Sequence, residues 1–251
     1  MILRDFHVHS TYCDGRCELE EIINTAIEKG VKMLGIVSHC YTPFHVYGRL
    51  TPDSVYEFSK ELNALKARYS DKIELLVGVE EDYFGETDLS KFDYVIGDVH
   101  YIKGPSKYHS IDYVYPEFKA LVEDVGGGVN AYKIYYEQLV KVVKEKNPHI
   151  VGHFDIISKN NNDNEFFDEE SEDYIATWKK AIDEILAFNK DIYFEVNTGG
   201  IARKYKDRPY PRKEMVEYIK SKNGKLLLTS DAHHKDNLCF EFEKWKKEFD
   251  L

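Results

Sequence analysis

Nine residues spread along the chain have the side chains that bind transition-metal ions. His7 and His9 form a His-x-His pair, and Asp231 and His233 an Asp-x-His pair near the other end. Between them stand Asp14, His39, Glu80, His100 and His153. Neutral imidazole and carboxylate are the usual ligands of zinc, iron and manganese. In an extended strand, side chains two apart point to the same side, so His-x-His is a two-toothed chelate and Asp-x-His repeats that geometry. Any one of these residues alone has an ordinary explanation: a hydrogen-bonded histidine, an ion-paired glutamate, or a turn aspartate in Asp14-Gly15.

Their placement changes that balance. Short β-rich runs alternate with longer amphipathic ones. The strands are read as Leu3–His9, Met33–His39, Ile73–Glu80, Tyr94–His100, Ile150–Phe154, Ile192–Asn197 and Leu226–Asp231. The helices are read as Glu18–Lys29, Thr51–Tyr69, Phe118–Val125, Ala131–Lys146, Ser171–Phe188, Pro211–Ser221 and Asn237–Phe249. Alternation of this kind implies parallel strands joined by crossover helices. The expected fold is α/β, a distorted (β/α)7 TIM-like barrel in one domain spanning residues 1–251, with an open doubly wound sheet as the alternative. Almost every strand then ends in a ligand-type residue, and in parallel barrels the C-terminal strand ends form the active-site rim.

Composition narrows the class. The 251 residues are 43% hydrophobic and 31% charged, with a net charge of −11 and a pI near 5.4. An acidic chain with no dense Lys/Arg run is poorly suited to nucleic acid, which favours a small substrate. No signal peptide or membrane span is visible, so a cytoplasmic protein with reduced cysteines is expected. Cys13 and Cys17 are spaced Cys-x3-Cys, but no second pair completes a zinc module. No Walker-type glycine loop and no Gly-x-Ser-x-Gly elbow is present.

FHVHS at Phe6–Ser10, SHC at Ser38–Cys40, GVE at Gly78–Glu80, GDVH at Gly97–His100, GHFD at Gly152–Asp155 and SDAHH at Ser230–His234 resemble the ordered motifs of the polymerase-and-histidinol-phosphatase (PHP) family along nearly the whole chain. GVEEDY, GHFDIISK, EVNTGGIARK and TSDAHH resemble its histidinol-phosphate phosphatase branch. The resemblance implies three zinc, iron or manganese ions, with the mixture and the oligomeric state left open. His7, His9, Glu80 and Asp231 would hold the first. His100 and His153, with Glu80 bridging, would hold the second, and Asp14, His39 and His233 the third. Asp14 stands where many relatives have His. Lys159 is the nearest base to the position of Ser158, where an Arg is common, and Lys235-Asp236-Asn237 replaces a frequent Pro-Glu-Asp.

The implied reaction is hydrolysis of L-histidinol phosphate, a small phosphorylated substrate of histidine biosynthesis, by a metal-bridging hydroxide. Asp231 and His234 are the candidate catalytic residues, with His234 or a metal-bound water as proton donor to the leaving alkoxide. Arg203, Lys159, Asn197 and Glu195 are the candidate substrate or phosphate contacts, with Asn197 donating either to substrate or to a group that supports a metal ligand. Arg203 is preferred for phosphate over Arg208 and Arg212, and Glu195 and Asp82 are candidates for the amine and imidazole. His45 and His109 are loop residues within possible reach of substrate. The alternatives are a PHP phosphoesterase or nuclease acting on nucleotides or nucleic acid, and a non-catalytic metal-binding regulatory protein.

Overall fold

The computed structural model describes residues 3–44 and 48–251, so the possible substrate contact at His45 lies outside the described residues. In chain order the elements are β1 (Arg4–Asp5), α1 (Leu19–Glu28), β2 (Met33–Ile36), α2 (Pro52–Arg68), β3 (Glu74–Asp82), β4 (Tyr94–Asp98), β5 (Tyr101–Lys103), β6 (Tyr108–Ser110), α3 (Tyr115–Asp124), α4 (Gly128–Lys146), β7 (Ile150–Val151), α5 (Glu172–Phe188), β8 (Tyr193–Asn197), α6 (Gly199–Ala202), α7 (Lys213–Ser221), β9 (Lys225–Thr229) and α8 (Phe242–Phe249). Among the described residues, no helix is long and apolar enough to cross a membrane.

Seven strands form one parallel sheet in the order β1-β2-β3-β4-β7-β8-β9. It nearly closes on itself: Val8 bridges Ala232 in parallel, with His9 N–H donating to the Ala232 carbonyl at 2.9 Å and Ala232 N–H to the His7 carbonyl at 3.2 Å. The architecture is the expected distorted seven-stranded barrel. Its β1 and β7 are only two residues long, because both chains leave the regular ladder to turn their histidines into the mouth.

Local chemistry places the helices. Thr51 and Ser54 form a reciprocal cap at the start of α2, with Pro52 in the first turn. Ser171 accepts from Tyr174 N–H at the start of α5, and Glu172 and Asp173 lie on its positive end. The helices pack outside the barrel through two large apolar clusters. One centres on α4 and α5 with Tyr132, Tyr135, Tyr136, Trp178 and Phe194; the other centres on α1 and α2 with Ile22, Phe58, Leu62, Val77 and Val79.

Inside the barrel a third cluster joins Val37, Tyr94, Ile96, Ile150 and Leu227, with Phe6, Leu76 and Tyr193 packed against it. The period-two alternation of strands explains its composition. Along β8, Phe194 and Val196 join outer clusters, while Tyr193 faces the interior with Glu195 and Asn197 above it. Along β3, Val77 and Val79 face outward and Leu76 inward, on the same side as Gly78 and Glu80. The inward row is thus apolar at the bottom and polar at the top.

Tyr94 fills the floor. Its hydroxyl donates to the Phe6 carbonyl at 2.7 Å. A Cβ on Gly35 would lie 2.2 Å from that hydroxyl, and one on Gly78 would lie 2.3 Å from the ring carbon that bears it. Two neighbouring strands therefore carry glycine so that one ring can span the barrel.

Three short elements were not anticipated, α6 and the strands β5 and β6. β5 and β6 form an antiparallel hairpin, Tyr101 opposite Ser110 and Lys103 opposite Tyr108. Strands of three residues are too short to show a period, yet this hairpin walls the mouth. For the floor, Gly78→Ala is expected to lower stability by about 1–3 kcal/mol through overpacking against Tyr94. Denaturant melts would test this, and an unchanged midpoint would show that the ring is free to move.

Candidate metal centre

The inward row ends in a ring of ligand-type side chains. Bridges from His9 to Val37 and from His39 to Glu80 carry the parallel register to the mouth. Glu80 lies within β3 and Asp98 ends β4. His153 follows β7, where Gly152 N–H donates to the Gly97 carbonyl at 2.9 Å. Asp231 and His233 follow β9, and the turn bearing Asp14 is tied to them by Arg16 N–H donating to the His233 carbonyl at 2.9 Å.

Glu80 is the centre. It is buried, and one oxygen lies 2.9 Å from His153 Nε2, 3.3 Å from His7 Nε2 and 3.5 Å from His100 Nε2. The other lies 2.7 Å from His39 Nδ1 and 3.4 Å from His9 Nε2. Asp231 Oδ1 stands 3.4 Å from His9 Nε2 and 3.7 Å from His7 Nε2. Asp14 Oδ1 stands 3.1 Å from His233 Nε2 and 3.3 Å from His39 Nε2.

Three groups of side chains have ligand atoms close enough to hold an ion: His7, His9 and Glu80; Glu80, Asp98, His100 and His153; and His9, Asp14, His39 and His233. All nine nominated residues meet here, with Asp231 against the first group. Asp98 was not nominated and completes the second. Its signal was available, because Asp98-x-His100 repeats the same-face spacing of His7-x-His9.

The atoms fit cations on two observations. Asp98 Oδ1 and Oδ2, Glu80 Oε2 and the Nδ1 atoms of His39 and His100 are buried without a hydrogen-bond partner among the described residues. Such groups are costly unless something else satisfies them. Moreover, His39 Nδ1 and Glu80 Oε2 are 2.7 Å apart without hydrogen-bond geometry. They are directed past each other, as donors aimed at a shared third atom would be.

Electrostatics agree. Burial works to raise the Glu80 carboxyl, but His39, His7 and His100 override it and hold it well below the usual range. For Asp231, burial is likewise outweighed by Arg203 and His7. Burial, His233 and His39 push His9 down to about 3, leaving it neutral and able to ligate. Burial raises Asp98 to about 7, with Glu80 adding to the rise and His100 opposing it. A cation at the second group would reverse that balance.

The expected substrate contacts divide. Arg203 and Lys159 line a cavity of about 890 Å³ above the ligands, together with His234, Asp112 and Tyr205. Arg203 is already engaged: Nη2 donates to Asp231 Oδ2 at 2.8 Å, and Nη1 lies 2.6 Å from His233 Nδ1, turning Nε2 of that ring toward Asp14. Lys159 Nζ donates to the Asp112 carbonyl and sits 4.3 Å over the Tyr205 ring. His234 is half-exposed at the rim, with Nδ1 accepting from Asp236 N–H at 3.3 Å.

Glu195 is placed differently from the sequence expectation, and Asn197 takes the second of its two expected roles, beside the ligands. Both are fully buried behind the ligands, and neither lines the cavity. Glu195 accepts from Thr229 Oγ1 at 2.9 Å, from His153 N–H and from Asn197 Nδ2 at 2.8 Å, and lies 2.9 Å from His7 Nδ1. Asn197 Oδ1 accepts from Gly199 N–H. A carboxylate on the far nitrogen of a ligand histidine fixes its tautomer and orientation; Glu195 stands in that position on His7, and Asn197 Nδ2 donates to Glu195 and, at 3.4 Å, to Asp231 Oδ2. Asp82 also turns inward, accepting from Phe84 and His100 N–H. His109 is buried 2.8 Å from Asp124 Oδ2, away from the cavity. Arg208 and Arg212 serve Glu169 and Glu170 on another face. Cys13 approaches the site only through Sγ, 3.3 Å from His9 Nδ1.

The chain matches the PHP domain model over residues 5–199, most of its length, and belongs to that family. It is 24% identical over 269 aligned residues to the probable histidinol-phosphatase of Schizosaccharomyces pombe, covering 95% of this chain and 83% of the relative. A Listeria monocytogenes structure assigned as a histidinol phosphatase superposes with a TM-score of 0.85 at 19% identity, covering 96% of this chain and 99% of the other. The histidinol phosphate phosphatase of Lactococcus lactis, complexed with zinc, L-histidinol and phosphate, superposes with a TM-score of 0.66 at 19% identity, covering 99% of this chain and 92% of the other.

The placement of Glu195 generates a test. Glu195→Gln is expected to weaken metal binding by about ten- to a hundredfold, since such partners tune ligand affinity, with activity restored by excess metal. Unchanged metal affinity with a raised KM would instead return Glu195 to the substrate.

Proposed function

We propose that this PHP-domain protein is a metal-dependent phosphomonoesterase that hydrolyses L-histidinol phosphate to L-histidinol and phosphate. The observation that carries the reading is the meeting of three ligand groups, two of which share the buried carboxylate Glu80, beneath a cavity lined by Arg203 and Lys159. The similarity to a histidinol-phosphatase over nearly the full chain, and a related fold that binds L-histidinol and phosphate, support the choice of substrate.

His7, His9, Glu80 and Asp231 would hold one ion, Glu80, Asp98, His100 and His153 a second, and Asp14, His39 and His233 a third. Divalent cations bound there supply Lewis acidity, making water nucleophilic at neutral pH and neutralising phosphate charge. The protein's own contribution is to hold these ligands rigid in a buried mouth where electrostatic interactions are strong. Arg203 fixes Asp231 and His233 with one guanidinium, so its part in catalysis runs through the ligands as well as through any phosphate oxygen it meets. His234 stands at the rim with Nδ1 occupied, which leaves Nε2 to deliver a proton to the departing alkoxide.

The cavity is large enough for a small phosphoester. Asp112 and Glu117 supply acidic groups on its wall for a cationic substrate end, the role first expected of Glu195 and Asp82.

The direct test is phosphate release from L-histidinol phosphate by metal-loaded protein, alongside nucleotides and single-stranded DNA. Turnover of histidinol phosphate, lost on chelation and regained on reloading, is expected. Equal or faster turnover of nucleic acid would overturn the choice of substrate.

A further inference from the structure

The cation best placed to receive an anion in this cavity is Arg49. It lines the same space as His39, Glu80 and His100, and its Nε and Nη1 are buried with no hydrogen-bond partner among the described residues. Only Nη2 is directed, to the Tyr101 hydroxyl at 3.2 Å, and the guanidinium carbon lies 5.1 Å over the Tyr101 ring. Of the other guanidinium and ammonium groups lining the cavity, Arg203 is bound to Asp231 and His233, Lys159 is bound to Asp112, and Arg16 is exposed to solvent.

The backbone sets Arg49 there. Leu50 N–H donates to the His39 carbonyl at 3.0 Å. Gly48 has a φ of +65°, and a Cβ there would be 3.3 Å from Asp14 Cβ. Residues 48 and 50 are thus fastened to two ligands of one group, with the arginine between them. A left-handed backbone in close approach requires glycine at 48. A guanidinium held in a fixed plane, with buried and unmatched N–H groups on both flanks, suits an oxyanion. Leaving it unmatched is costly.

We propose that Arg49 is a phosphate-binding residue, donating from its unmatched guanidinium N–H groups to a phosphoryl oxygen, with Tyr101 holding the guanidinium plane. This rests on the phosphomonoesterase reading only for the identity of the full substrate; the anion it binds is tested separately.

The experiment is calorimetric titration of metal-loaded protein with inorganic phosphate, comparing the parent chain with Arg49→Gln and Arg49→Lys, after metal content and melting temperature are checked. Arg49→Gln is expected to weaken phosphate binding about tenfold or more, the loss of charge-assisted bonds. Arg49→Lys, which keeps the charge but not the guanidinium donors, is expected to fall between. Equal affinity in the parent and either correctly loaded variant overturns the proposal, and the lysine variant serves should the glutamine variant not fold. If the parent binds phosphate through Arg49 yet does not hydrolyse histidinol phosphate, the substrate reading fails and the assignment of Arg49 stands.

Discussion

A carboxylate buried inside a barrel is the constraint on which this protein turns. Glu80 has almost no solvent contact, and an isolated charge there would be strongly disfavoured. Five imidazoles from four segments lie within 3.5 Å of its two oxygens. Asp231 and Asp98 repeat the problem on either side and draw in Arg203 and further contacts with His7, His9, His100 and His153. So much converging charge needs positive counter-charge at its centre, and unpartnered nitrogens and oxygens facing one another are suited to metal ions.

The rest of the fold can be understood as the support for that arrangement. Parallel strands place their C-terminal ends at one mouth, and the two-residue period gives each strand an inward row. Apolar side chains fill the lower layer around Tyr94, with glycines at 35 and 78 making room for it. The upper layer is polar, and a further set of buried groups holds the ligands from behind. Glu195 and Asn197 occupy that position, and Asp5 does so for the last strand by accepting from Ser230 N–H at 3.1 Å and from Cys239 N–H at 3.1 Å. Rigidity of this kind is what lets ligand atoms wait at short mutual distances.

Much of this was legible in the chain itself. The seven strands and their helices follow from alternation, and the nine ligand-type residues from their coincidence with strand ends. What was not legible has physical causes. Asp98 is the exception, since Asp98-x-His100 carries the same spacing as Asp231-x-His233 and was open to the same reading. Glu195 was placed at substrate because residues near a strand end face the mouth; its depth depends on register, which places it behind His7, with Asn197 beside it. Arg49 left no pattern at all. Its role comes from a left-handed glycine and one backbone bond to His39, neither of which has a periodic signature. The β5–β6 hairpin is too short for alternation to reveal.

The central claim is that Glu80 organises a cluster of metal ions. Anomalous diffraction from crystals of the metal-loaded protein, collected at the absorption edges of zinc, iron and manganese, addresses it most directly. The account predicts peaks within about 2.0–2.2 Å of ligand atoms in the groups that contain Glu80 and in the neighbouring group of Asp14, His39 and His233. Peaks confined to the surface, with the Glu80 oxygens still contacting only imidazoles, would contradict it.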